Sequence, residues 1–170
     1  LGGAAIVASH ACSLGAKCHY LSVVGQDENA KLVKRQLDHY QVTHSLIPDS
    51  SRPTTFKIRY MVENQKLFRV SRLQEHSLSA EIETQLILRL RELAPQLDGI
   101  LVSDFVYGVI TENILTELQV LKHRYGLQLF GDLQCSSQVG NITQFENYEL
   151  LCPNEREARF CLLYTSDAAD

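Results

Sequence analysis

The chain contains no apolar run approaching the roughly 20 residues needed to cross a bilayer, and no charged-then-apolar segment opens it. Neither a membrane span nor a secretory signal is expected. It also lacks a surplus of positive charge: 16 Lys and Arg stand against 20 Asp and Glu, for a net charge of −4. The basic residues are scattered rather than striped, which leaves no electrostatic footprint for DNA or RNA, so nucleic acid is not an expected partner. No Cys-x-x-Cys pair occurs among the five cysteines (Cys12, Cys18, Cys135, Cys152 and Cys161), and no histidines stand at zinc-ligand spacing near them. An odd, unpaired set of this kind fits a reducing compartment, and the chain reads as cytoplasmic. His10 near Cys12 and His19 beside Cys18 invite a metal or thiolate reading; small buried thiols and surface histidines fit the spacing better.

What the chain does have is a rhythm. Three apolar runs each end on a polar residue: 100–104 on Asp104, 127–132 on Asp132 and 150–154 on Asn154. Helix-like or polar segments separate them. Ser79 can cap a helix with Ile82, Leu86, Leu90 and Leu93 on one stripe, and Thr111 can cap another with Ile114, Leu118 and Leu121 inward and Gly126 as its stop. Buried runs alternating with amphipathic helices build a parallel sheet, in which ligands sit at the carboxyl ends of the strands. Asp104, Asp132 and Asn154 are therefore expected on one rim. The polar stretch 134–147 is a long loop or a short helix at that rim.

The first third has the same α/β alternation. Gly2 and Gly3 precede a segment of helical spacing with Ala4, Val7, Ala8, Ala11, Cys12 and Leu14 on its apolar positions, and Gly15 fits a left-handed stop. A glycine pair at a helix start leaves backbone N–H groups open to a ligand oxygen, but it serves equally as a tight turn. Residues 20–24 read as a strand closed by Gly25, and 29–40 as a helix with Leu32, Val33 and Leu37 inward.

Residues 54–71 break the rhythm. Phe56, Ile58, Tyr60 and Val62 alternate with Lys57, Arg59 and Met61, and Glu63 to Lys66 supply a turn before the apolar pattern returns. This β-hairpin stands apart from the parallel sheet. Lys57, Arg59 and Arg69 on it could pair with an anionic ligand, or form a solvated face that discourages edge-to-edge association. In 150–157, Asn154 followed three residues later by Glu157 is a capping-box arrangement.

Taken together and in order, these segments resemble the ribokinase-like carbohydrate kinases of the phosphofructokinase B (PfkB) type, and among them the heptose phosphate kinases of lipopolysaccharide precursor synthesis. Residues 1–8 resemble the family's Gly-Gly-Ala-Ala-Asn-Val-Ala signature, 14–16 its Leu-Gly-Ala, and 23–27 its Val-Gly-x-Asp turn. Residues 54–65 are similar to its lid strands, 103–108 to its Ser-Asp-Tyr-x-Lys-Gly segment, and 152–157 to its Thr-Pro-Asn-x-x-Glu motif. The resemblance implies an α/β ribokinase-like fold, a mostly parallel sheet flanked by helices with a small β lid, and phosphoryl transfer from ATP to a sugar or sugar phosphate. It implies that Gly2, Gly3, Lys57 and Asp104 serve the substrate. It also implies that Asp132, Asn154 and Glu157 serve the nucleotide, with Glu157 organising Mg2+. A homodimer joined through the β lid is a further implication.

The departures from the pattern carry chemistry of their own. Ile6 stands where the signature has Asn, which removes a hydrogen bond to a sugar hydroxyl. Tyr107 replaces a lysine, and Gln134 stands where the heptose kinases have another, so two positive charges near the phosphates are absent. The resemblance then implies a divergent subfamily, with another sugar phosphate or reduced activity. The Gly-Ala-Gly-Asp motif that supplies the catalytic base is expected beyond residue 160. Residues 1–160 thus read as a partial kinase domain preceded by a missing strand. Residues 161–170 read as a non-native tail resembling translated adapter sequence, or else as a native helix end with a Ser-Asp turn. A non-catalytic sugar-phosphate or nucleotide binding module on the same scaffold is the alternative.

Overall fold

The computed structural model describes residues 1–134 and 140–162. Two compact units divide the chain, Leu1–His76 and Ser77–Asp170.

The first unit contains α1 (Gly3–Ser13), β1 (His19–Val24), α2 (Glu28–His39), β2 (Thr43–Pro48), β3 (Phe56–Val62) and β4 (Gln65–Arg72). α1 ends on Leu14 and Gly15, and Gly15 takes the left-handed φ of +97° that an L side chain resists. Asp27 caps α2, its Oδ1 accepting the Ala30 N–H at 3.0 Å. Ala5, Leu37 and Val42 form the buried centre, with Ala8, Cys12, Tyr20, Val33 and Leu46 packed on it. Leu37 and Val33 face inward as expected, whereas Leu32 is 42% exposed. The helix is short and presents only a narrow stripe to the core, so its third apolar residue is left at the margin.

β2 is an element that the sequence reading omits. It pairs parallel with β1, in register from His19 with Thr43 to Val24 with Pro48. Its sequence mixes polar and apolar residues without alternation, and the strand is held by backbone pairing with one well-buried side chain, Ile47.

β3 and β4 form the expected antiparallel hairpin, turning at Glu63 and Asn64. Ile58 lies opposite Val70 and Tyr60 opposite Phe68, whose rings stack at 4.4 Å. Strand alternation puts these on one face and Lys57, Arg59, Met61, Lys66 and Arg69 on the other. Every side chain of β4 is exposed, as is every side chain of β3 except the half-buried Lys57.

The second unit contains α3 (Ala80–Leu93), β5 (Gly99–Asp104), α4 (Glu112–Tyr125), β6 (Gln128–Leu133), β7 (Leu150–Leu151) and α5 (Glu155–Leu162). The strands pair parallel in the order β5-β6-β7. Ser79 and Thr111 cap α3 and α4 by accepting the N–H groups of Ile82 and Ile114. Gly126, at φ +69°, closes α4 by donating its N–H to the Lys122 carbonyl at 2.8 Å. Leu86, Leu90, Ile114, Leu118 and Leu121 are buried, as the spacing predicts, and so are Leu129 and Leu133 on β6. Ile82 and Leu93 are half-buried. α5 continues through Leu162, two residues into the expected tail, and residues 163–170 lie outside the described residues.

Candidate functional site

Three parallel strands bring three of the candidate residues to one end of the second unit. Asp104 closes β5, Asp132 is the penultimate residue of β6, and Asn154 follows β7 by three residues. The register adds a distinction that the runs themselves do not show. Ser103 pairs with Asp132, and Asp104 with Leu133. Because side chains alternate along a strand, Asp104 shares a face with Val102, Gly131 and Leu133, while Asp132 shares the opposite face with Ser103. The rim is common, but its two aspartates serve different sides of the sheet.

Asp104 is buried, 6% exposed. Its Oδ1 accepts the N–H of Val106 at 2.8 Å, and its Oδ2 accepts Nε2 of Gln144 at 3.2 Å. Val106 has φ +59°, a strained conformation for a β-branched residue that this carboxylate contact helps to hold. Burial pushes the Asp104 pKa up, and the Val106 and Gln144 hydrogen bonds oppose that rise without cancelling it. Gln144 comes from the 140–148 segment, which also lays Phe145 against Gly131: a Cβ at Gly131 would fall 3.3 Å from the Phe145 ring and 2.8 Å from Leu151. No local pattern links Gln144 to Asp104, forty positions earlier, and sequence reasoning missed it. Tyr107, at the position of the replaced lysine, is buried and stacks with Phe105 at 6.2 Å.

On the other face, Asp132 is half-buried and its Oδ1 accepts Nε2 of Gln134 at 2.9 Å. The Ser103 hydroxyl beside it is buried without a hydrogen-bond partner among the described residues, an acceptor-seeking group at the strand end. Asn154 and Glu157 form the reciprocal box that their spacing predicts. Oδ1 of Asn154 accepts the Glu157 N–H at 3.0 Å, and Oε2 of Glu157 accepts the Asn154 N–H at 2.9 Å. Glu157 is 3% exposed, so a carboxylate is fixed at the positive end of α5.

The remaining candidates lie in the first unit. Gly2 is the N-cap of α1 with no side-chain cap, Gly3 opens the helix, and a Cβ at Gly2 would meet nothing within 4 Å. The start of α1 is thus sterically open on that side. Ile6, one turn on, is 40% exposed. Lys57 stands on the cationic face of the hairpin, two residues before Arg59, which lies directly opposite Arg69.

Among the described residues no group of three or more His, Cys, Asp or Glu is placed to hold a metal ion. His10 is exposed, and His19 shares a 2.8 Å hydrogen bond with Ser45. A magnesium ion is compatible with one carboxylate only where it keeps waters and takes its other oxygens from phosphates. Glu157 is a single carboxylate at the start of α5, its Oε2 engaged by the Asn154 N–H.

Parallel strands with polar residues at their carboxyl ends, helices between them and a projecting hairpin define a ribokinase-like α/β fold, and comparison with known proteins agrees. The family model for the pfkB family of carbohydrate kinases matches residues 1–168, and the chain belongs to that family. The bifunctional protein HldE of Trichlorobacter lovleyi is 31% identical over 159 residues, covering 93% of this chain and 32% of that protein. HldE of Helicobacter acinonychis is 30% identical over 158 residues, covering 92% and 33%. The chain therefore spans about a third of the length of these relatives. Among solved structures, phosphofructokinase-2 from Escherichia coli in complex with fructose-6-phosphate superposes with a TM-score of 0.71 at 17% identity, covering 95% of this chain and 52% of that one. A carbohydrate kinase from Agrobacterium tumefaciens gives 0.68 at 16%, covering 94% and 52%. At such identities the structural likeness speaks to the fold alone.

Proposed function

We propose that this chain is the segment of a cytoplasmic, ATP- and Mg2+-dependent sugar kinase that supplies half of the substrate pocket and part of the magnesium site, the catalytic base being expected beyond residue 160. The observation that carries the proposal is the split of the rim by strand register. Asp104, with its raised pKa and its Val106 and Gln144 partners, faces one side, where a sugar hydroxyl can replace the long Gln144 contact. Asp132, Ser103 and the Asn154–Glu157 box belong to the other side or to the helix start beyond it, where phosphates meet N–H groups and a bound cation. Gly2 and Gly3 are assigned to the sugar through their backbone. Phosphoryl transfer depends on positioning and neutralisation of charge more than on covalent chemistry by the protein, and these residues would contribute the positioning.

The acceptor we favour is already phosphorylated, resembling a heptose 7-phosphate. The support is the hairpin: Arg59 and Arg69 lie directly opposite each other, with Lys57 on the same face, so three cationic side chains are gathered there. Like charges opposite one another across a strand pair disfavour the pairing, and a phosphate would reverse that effect. Full-length protein carrying this segment should release ADP with phosphorylated sugars and much more slowly with their unphosphorylated counterparts. Equal rates with both would remove the assignment of Lys57 and its neighbours to a phosphate.

The opposite face of the hairpin supports a homodimer. Ile58, Tyr60, Phe68 and Val70 are between 37% and 53% exposed, a continuous apolar strip of a kind that a second copy would cover. Replacing Tyr60 and Phe68 together by serine is expected to convert a dimer into a monomer in sedimentation velocity. A chain that is monomeric before the substitution contradicts this role.

A further inference from the structure

The hairpin has little packing of its own to hold it. Its strands are exposed along both faces, so the position of Lys57 and the rest of that surface depends on the base from which the hairpin springs. That base is a buried, hydrogen-bonded polar site. Asp49, directly after β2, is 4% exposed; Arg52 is 7% exposed and Thr54 6%. Nε of Arg52 donates to Oδ2 of Asp49 at 2.8 Å, while Ser51 donates to Oδ1 through both its N–H, at 2.8 Å, and its hydroxyl, at 2.6 Å. The same guanidinium reaches the other leg of the hairpin: Nη2 donates to the carbonyl oxygen of His76, past the end of β4, at 2.8 Å. One side chain thus joins the end of β2, the leg entering β3 and the leg leaving β4.

A second set of contacts seats the entering leg on the turn that follows β1. Gly25 donates its N–H to the Thr54 hydroxyl at 2.9 Å, and Oδ2 of Asp27 accepts the Thr54 N–H at 3.0 Å. The approach is so close that a Cβ on Gly25 would lie 2.5 Å from the Thr54 nitrogen and 2.7 Å from the Arg52 oxygen. Burial pushes the pKa of Asp49 up, but the Ser51 and Arg52 contacts outweigh it and hold the carboxyl below the usual aspartate range, so it stays charged opposite Arg52.

We propose that Arg52 is a positioning residue that pins both legs of the hairpin to the end of β2 and so fixes the orientation in which the hairpin presents Lys57. The functional consequence rests on the reading of the hairpin as a substrate lid; the pinning does not. An ion pair serving stability alone needs Asp49 and Arg52 only. A latch needs the second arm of the guanidinium on His76, which the planar fork supplies and a lysine ammonium cannot reproduce at both ends.

Hydrogen exchange on the 170-residue chain, without ligand, separates the two. In R52K, exchange in peptides covering 56–72 should rise about tenfold, the loss of one charged hydrogen bond, while peptides from β1 and α2 stay within about twofold. D49N, which keeps the arm on His76, should raise hairpin exchange far less. The double variant D49N/R52M removes the latch without leaving a lone buried charge and should match R52K at the hairpin. Hairpin exchange that is unchanged in R52K, or that rises equally across residues 1–76 in all variants, overturns the proposal. In full-length enzyme, R52K should raise KM for the sugar substrate about tenfold and leave kcat within about threefold. A loosened hairpin with unchanged KM overturns the positioning role. Full-length protein with no sugar-dependent turnover would instead defeat the kinase reading and leave the exchange result standing.

Discussion

Asp104→Asn in the full-length enzyme should weaken sugar binding about 100-fold, the worth of one to two hydrogen bonds to a charged acceptor, without destabilising the fold. The two effects separate because the carboxylate is costly where it stands. Its folded pKa is raised by burial, so the folded chain binds the carboxyl proton more tightly than the unfolded chain does. Stability contributed by this group is greatest below the unfolded pKa of about 3.9, is lost as pH rises through the folded value, and stays lost at neutral pH. Asparagine never ionises, and its oxygen can still accept the Val106 N–H. The variant should therefore melt at the same temperature as the parent at pH 7, or slightly above it. Calorimetric titration checks the affinity and thermal melts check the stability. Unchanged sugar affinity would remove Asp104 from the substrate side, and a large loss of stability would mean that its charge is structural.

Glu157→Gln should reduce magnesium-dependent turnover by at least about tenfold while changing stability by less than about 1 kcal/mol. Glutamine can occupy the third position of a capping box, so its side-chain oxygen can still accept the Asn154 N–H now bound by Oε2. What it cannot supply is negative charge. Glu157→Ala removes the box as well, leaves the Asn154 N–H without this partner, and should cost about 1–2 kcal/mol in addition. Turnover measured across a magnesium titration, with denaturant melts of the same variants, distinguishes the roles. Equal loss of activity and stability in both variants would make Glu157 a helix cap and nothing more.

The strand ends were legible because each strand is written as an uninterrupted apolar run, even where Leu101 and Leu150 are about half exposed, and the first polar residue after it marks where the strand leaves the sheet. The α4 caps were legible for a similar local reason: Thr111 and Gly126 have chemistry that suits one helix end each. The opposite facing of Asp104 and Asp132 was not legible. Both runs end on aspartate, but pairing sets Asp104 beside Leu133, and that one-residue offset reverses the face. β2 escaped notice because its pairing partner, rather than its own pattern, makes it a strand. Gln144 and the Arg52 latch escaped for a related cause. Their bonds join residues 40 and 24 positions apart in the chain, and hydrogen-bonding side chains carry no periodicity that announces a distant partner.

If the proposed function holds, this chain contributes to moving a phosphoryl group onto a sugar. Phosphorus NMR of full-length protein with Mg2+, ATP and a phosphorylated sugar reports that transfer directly. A new phosphomonoester resonance is expected to grow in step with ADP, and to be absent when Asp104 is replaced by asparagine at limiting sugar concentration. A sugar phosphate that binds while ATP stays intact, or ADP that appears with inorganic phosphate alone, would contradict it.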